Sequence, residues 1–188
     1  MLISEDYREQ TRRLHVLNAG YGIKGEKRAE EVSRLIEYRK YLGGVEPVTV
    51  LDYGCGKQTL HKTIHRDMNG TLTNVTWQDY DPCVEGLDSE PMPADIVICT
   101  DVLEHIEPEC IDEVLADIKR LTKHSFLATI CTEAALKTLP DGRNTHVLIQ
   151  PEEWWRPKLS SFFPDFSTNY EPTSGPKTFI FTATRIIQ

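Results

Sequence analysis

The chain reads as one α/β domain built on a mostly parallel sheet, and three observations predict it. The stretch VTVLDYGCGKQTL, Val48 to Leu60, runs from a β-branched apolar segment into a tight glycine pair, Gly54 and Gly56. Thr59, Leu60 and Ile64 then recur at helical spacing, so the order is strand, glycine turn, helix. Apolar runs of the same kind return at Ala94–Cys99 and Phe126–Cys131, with an amphipathic helical stretch between them, and this alternation marks a parallel α/β sheet. Finally, acids stand at strand ends, Asp52 and Asp81, where an open sheet of this class presents groups to a ligand. The 188 residues suffice for one such domain with a real core and are too few for two of ordinary size.

Taken in order, Ser4 caps a first predicted helix over Glu5 to Asn18, with Tyr7, Thr11, Leu14 and Leu17 as its stripe. Gly20, Gly22 and Gly25 break it, and a second helix from Glu26 to Leu42 follows, with Ala29, Val32, Leu35 and Ile36 on one face and Gly43-Gly44 at its end. The loop between them, NAGYGIKG, sets Tyr21 among glycines. It is either a turn with one packed aromatic or part of a lid whose backbone closes over a ligand at the strand tips. We therefore divide the chain into an N-terminal helical lid, residues 1–44, and an α/β core, residues 45–188.

Glycine at Gly54 and Gly56 permits close approach of backbone N–H groups and of a helix N-terminus to a ligand. The helix after the turn is predicted from Gln58 to Met68, ending near Asn69-Gly70. A second strand from Thr71 to Tyr80 closes on Asp81-Pro82. A carboxylate there suits both hydroxyls of a ribose, because it only accepts hydrogen bonds. Asp81 is preferred over Asp79, since Tyr80 supplies the preceding apolar residue and Pro82 ends the strand. Gly86, Pro91 and Pro93 fill the interval to Ala94, too short for a helix and a strand, so this crossover is trimmed.

Ala94–Cys99 runs into TDVLEHI, and a helix from about Pro108 carries Ile111, Val114, Leu115, Ile118 and Leu121 on one face. After FLATIC, the turn Leu139-Pro140-Asp141-Gly142 precedes Arg143-Asn144-Thr145-His146. Arg, Asn and His on a loop beyond a strand's carboxyl end are able to orient a polar substrate; a surface loop with a packed histidine is the bland alternative. Pro151-Glu152-Glu153-Trp154-Trp155 opens another helix, with Trp154 as a platform candidate. Asp165–Tyr170 and Thr178–Ile187, flanking a turn with Pro172, Gly175 and Pro176, form a closing antiparallel hairpin.

Together, LDYGCG, an acid after a second strand and ADIVICTDVLEHI resemble the class I methyltransferases that use S-adenosylmethionine (SAM), of the small-molecule type. The pattern covers roughly Val48 to Cys131. Its flanks, YREQTRRLH with NAGYGIKG and TLPDGRNTH with PEEWW, are similar to a subgroup of bacterial and phage methyltransferases. The resemblance implies a Rossmann-like fold with SAM across the strands' carboxyl ends. Its amino-acid part would lie at Asp52, Tyr53, Gly54, Cys55 and Gly56, and its ribose at Asp81 and Pro82. Cys99, Thr100, Asp101 and Val102 would line the site. Acceptor contacts fall to Tyr21, Arg143, Asn144 and Trp154. His146 or His105 is the candidate base, since imidazole titrates near neutrality. The chain departs from the family at Gln58, where a third glycine is usual. A nicotinamide-dependent oxidoreductase of the same fold would want its third glycine at Thr59. The other alternative, a SAM-fold protein that binds without catalysis, draws on Gln58 and the trimmed crossover.

Net charge is −8, from 21 basic and 29 acidic residues, which argues against broad attraction to polymeric nucleic acid and favours a small-molecule acceptor. Five cysteines without a C-x-x-C pair read as reduced thiols. Cys55, His61 and His65 lack an obvious fourth zinc ligand, so no metal is expected. No apolar run approaches membrane-spanning length and the first residues lack a signal-peptide core, so a cytoplasmic protein is expected. Oligomeric state and the acceptor's identity are left open.

Overall fold

A computed structural model describes residues 2–41, 47–67, 74–173 and 177–186. It contains a six-stranded sheet in the order β2-β1-β3-β4-β6-β5, with β1 at Val48–Tyr53, β2 at Val75–Tyr80, β3 at Ala94–Thr100, β4 at Thr122–Cys131, β5 at Phe166–Pro172 and β6 at Thr178–Arg185. The first four run parallel, and β6 lies antiparallel to both β4 and β5. The expected mostly parallel sheet and its antiparallel hairpin are therefore both present.

β-Branched runs suit β1 and β3 to inner positions of the sheet. Alternation then assigns their faces: Val50, Ile96 and Ile98 pack with Val32, Ile36, Leu60 and Ile64 on one side of the sheet. Leu51, Val97 and Cys99 belong to the core on the other side, with Val114, Leu115, Ile118, Trp155 and Leu159. The first group comes from α2 (Ala29–Tyr41) and α3 (Thr59–Asp67), the second from α4 (Ile111–Leu121) and α5 (Glu152–Phe162).

The N-terminal helix α1 spans Glu5–Leu17, capped by Ser4, whose Oγ accepts from Tyr7 N at 3.2 Å. Ser4 is itself tied to Glu107 by its N–H and its hydroxyl, both at 2.7 Å, which pins the start of α1 to the loop that leads into α4. Two sequence expectations need correction here. Leu17 is 79% exposed, so the buried stripe is Tyr7, Thr11 and Leu14, while His15, four residues after Thr11, lines the cavity. The second helix is preceded by a 3₁₀ segment over Lys24–Arg28, so the α-helix starts later than expected. Its expected end at Gly43-Gly44, the 44/45 division between lid and core, the end of α3 near Asn69-Gly70 and the hairpin's Gly175 lie outside the described residues.

Between β2 and β3 the chain makes only turns, as the short interval requires, and among the described residues β2 has β1 as its single neighbour. The Gln78 side chain of β2 bonds Met92 of that crossover: its amide donates to Met92 O at 3.1 Å and its Oε1 accepts from Met92 N at 2.9 Å. The five cysteines form no disulfide. Among the described residues no helix is long and apolar enough to cross a membrane.

Candidate functional site

The carboxyl ends of β1, β2 and β3 open into one cavity of about 250 Å³. Its floor is the glycine turn. Gly54 and Gly56 have φ of +82° and +53°, values that L side chains rarely adopt. Both also sit against protein. A Cβ on Gly54 would stand 2.5 Å from Val102 Cγ2, and one on Gly56 2.6 Å from Gly22 O. The glycines thus let the turn pack on the end of β3 and on the N-terminal loop, and both also line the cavity that the sequence expects a ligand to enter. Gln58, at the position of the missing third glycine, has φ +59°. The turn keeps the left-handed backbone without the glycine, and the Gln58 amide donates to Asp79 Oδ2 at 3.0 Å.

Three acids surround this floor. Asp52 is buried, and burial, followed by the charges of Asp79 and Asp81, pushes its carboxyl up to about 8. Asp81 accepts from Gly56 N at 3.0 Å and from Cys83 N at 2.9 Å, which ties the end of β2 to the glycine turn. Burial raises its carboxyl, while His15 and the two N–H groups act against that rise. Asp79 turns to other partners. His61 Nδ1 is 2.9 Å from its Oδ2, and the His61 ring stacks on Trp77 at 4.7 Å. Asp81, with Pro82, lines the cavity and Asp79 does not.

The N-terminal segment forms the opposite wall. Lys57 fastens it there: its N–H donates to Gly22 O at 2.9 Å, and its ammonium reaches the carbonyls of Asn18 and Ala19 at 2.8 and 3.0 Å. Tyr21 faces the cavity and meets His15 edge to face at 4.7 Å and His105 at 6.0 Å. His15 Nε2 lies 3.9 Å from Asp81 Oδ2, and burial lowers its imidazole. His15 was missed in the sequence, although its spacing from Tyr7 and Thr11 carried the signal.

From β3, Thr100, Asp101 and Val102 line the cavity. Asp101 has φ +54°, and its carboxylate and N–H both engage Thr129 Oγ1, at 2.8 and 3.1 Å. Cys99 differs. The pleat points it into the core, where it is fully buried, so it does not line the cavity.

Beyond Val102, TDVLEHI forms a 3₁₀ turn over Leu103–His105 that brings His105 against His146, ring centroids 4.7 Å apart and perpendicular. His105 Nδ1 lies 2.7 Å from Thr145 O, and His146 Nδ1 contacts Glu133 O. A carbonyl only accepts, so both rings carry hydrogen on Nδ1 and keep an Nε2 lone pair. Burial lowers both imidazoles, His105 to about 3 with His146 as second cause. Glu104, beside them, is fully buried. Its Oε1 accepts from Cys131 N at 3.0 Å, its Oε2 has no hydrogen-bond partner, and burial, then Asp101, pushes the carboxyl up to about 8.

The remaining acceptor candidates stand elsewhere. Arg143 pairs with Asp141 and Asp6 on the outer surface. Asn144 is absorbed locally: its Oδ1 accepts from Ala135 N at 3.0 Å and His146 N at 2.9 Å, and its Nδ2 donates to Ala135 O at 2.9 Å. Trp154 packs on Trp155 under Lys158. None of the three lines the cavity. Thr145 and His146 of the DGRNTH loop do, and Asn144 holds His146 there by accepting from its N–H.

No family model and no curated protein matches the chain. Solved structures do match. Magnesium protoporphyrin IX methyltransferase from Synechocystis PCC 6803, with bound S-adenosylhomocysteine (SAH), is 18% identical over 96% of this chain and 97% of its own, with a TM-score of 0.50. A DhpI–SAH complex is 14% identical over 97% and 98%, at 0.53. The Burkholderia thailandensis 1,6-didemethyltoxoflavin-N1-methyltransferase, with its substrate and SAH, is 16% identical over 96% and 89%, at 0.54. At these identities the likeness is one of fold: a Rossmann-like methyltransferase fold.

Proposed function

We propose that this chain transfers a methyl group from SAM to a small polar acceptor. The observation that carries the reading is one continuous cavity with two chemically different ends. One end joins Asp52, the glycine turn and Asp81; the other presents His105 and His146.

The first end fits SAM better than a dinucleotide. Asp52 and Asp81 are buried carboxyls raised by burial, and Asp52 is raised further by its acidic neighbours. Such a cluster favours a cation, and SAM brings a sulfonium and an ammonium. A bound cation would draw these carboxyls into their ionised form and a pyrophosphate would not, which counts against a nicotinamide cofactor. Asp81 spends two of its roughly four acceptor sites on Gly56 and Cys83, and the others suit ribose hydroxyls. The left-handed backbone at Gln58 also removes the main objection to the glycine turn.

When bound, SAM supplies an electrophilic methyl group; the acceptor's lone pair forms the new bond to carbon while the C–S pair leaves on sulfur, giving SAH. The protein's work is positioning. Tyr21 and the imidazoles bound the acceptor end, and a neutral Nε2 is able to take a proton from a hydroxyl or amine. The acceptor's polarity, not its identity, follows from this lining.

Calorimetry with SAM, SAH and NADH tests the cofactor. SAM and SAH should bind one per chain and NADH should not. Release of SAH in the presence of a panel of small hydroxyl and amine acceptors tests turnover. Binding of NADH in place of SAM would overturn the reading.

A further inference from the structure

We propose that Glu104, His105 and His146 form a site for one divalent transition-metal ion at the acceptor end of the cavity. Each offers a single ligand atom, and the three atoms lie within 4.8 Å of one another. Tetrahedral ligands about 2.0–2.1 Å from an ion stand about 3.4 Å apart, so small side-chain rotations close the cluster.

Three independent features suit a metal. Both histidines donate Nδ1–H to backbone carbonyls, of Thr145 and Glu133, and this is how ligating imidazoles are held with Nε2 free. Glu104 is fully buried, yet its Oε2 lacks any hydrogen-bond partner, a costly arrangement that a cation would satisfy. Cys131 N–H fixes the other carboxylate oxygen and so orients the free one.

Two imidazoles and one carboxylate suit zinc or iron(II), and three protein ligands leave coordination positions free. His105 and His146 face the cavity, so those positions would be open to water or to an acceptor oxygen. The ion site stands by itself, but its use in binding an oxygen-bearing acceptor rests on the methyl-transfer reading. In that use the histidines would hold the ion instead of acting as bases, and the ion's charge would orient the acceptor and ease loss of its proton to water.

The test uses the full chain stripped with a chelator, titrated with Zn²⁺ by calorimetry and with Co²⁺ by visible absorption. One ion per chain is expected, with cobalt bands of a nitrogen- and oxygen-ligated site. His146→Ala and Glu104→Gln should each weaken binding by more than the 10- to 100-fold typical of losing an outer partner. Glu104→Gln keeps an acceptor for Cys131 N–H, and thermal unfolding checks that each variant is folded. A wild-type chain that takes up neither ion overturns the proposal without any variant. So does one-to-one binding that persists in the His105→Ala/His146→Ala double variant. SAM calorimetry on the same sample separates the two readings: SAM binding without metal binding removes the metal site alone, and metal binding without SAM binding removes the transfer reading alone.

Discussion

Gly22 and Gly56 meet backbone to backbone: a Cβ on Gly56 would stand 2.6 Å from Gly22 O, and a Cβ on Gly22 3.2 Å from Gly56 Cα. Both have positive φ, +71° and +53°. Gly56→Ala should therefore destabilise the protein by about 2–4 kcal/mol, combining left-handed strain with overpacking. It should also loosen the N-terminal wall and reduce SAM affinity. Denaturant unfolding measures the first effect; a variant as stable as wild type would show that this contact is not made.

Asp81 and Asp79 separate cleanly by experiment. Asp81→Ala should weaken SAM binding by about 1.5–3 kcal/mol, the range for hydrogen bonds to a charged group. It should also lower stability, because Gly56 and Cys83 lose their acceptor. Asp79→Ala frees Gln58 and His61 and should spare SAM affinity. The reverse pattern in calorimetry would put the ribose carboxylate two residues earlier.

In the DGRNTH loop the two polar neighbours should behave differently. Arg143→Ala removes an exposed pairing and should leave both melting temperature and methyl transfer unchanged. Asn144→Ala removes three hydrogen bonds, one of them to His146 N, and should cost about 2–3 kcal/mol. Transfer should fall with it in variants still folded at the assay temperature, through a higher KM or a lower kcat. Equal effects from both substitutions would contradict this division.

Asp52 gives a pH signature. Its folded carboxyl lies at about 8 against an ordinary 3.8, so between these values the folded state holds a proton that the unfolded state has lost. Stability is then full below about 3.8, declines as pH rises through this window and levels off above about 8. Asp52→Asn removes the ionisation, so relative to wild type its stability should rise from pH 4 to pH 8. Each unit of raised pKa corresponds to about 1.4 kcal/mol. Urea unfolding at several pH values measures the difference, and a pH-independent difference would mean that Asp52 ionises normally.

The sheet was readable in the sequence because β-branched runs, glycine turns and strand-end acids are local signals. Asp81 was preferred over Asp79 from the preceding Tyr80 and the strand-ending Pro82, and it is the acid that reaches the cavity. Signals failed where a cluster joins residues far apart in the chain. Glu104 and His146 are 42 positions apart in the chain, and only the 3₁₀ turn and the loop after β4 bring them together. Arg143 looked functional by type, but nearby Asp141 and Asp6 claim its charge. Gln58 looked like a defect because residue identity was visible and backbone angle was not.

The trimmed crossover leaves β2 as an outer strand, and bare strand edges invite pairing with other chains. Here the Gln78 amide imitates a peptide group and occupies both hydrogen-bonding atoms of Met92. Pro91 and Pro93 flank that contact and supply no N–H to extend it. The shortened crossover thus ties itself to β2 through one side chain, and its prolines offer no N–H to a passing strand.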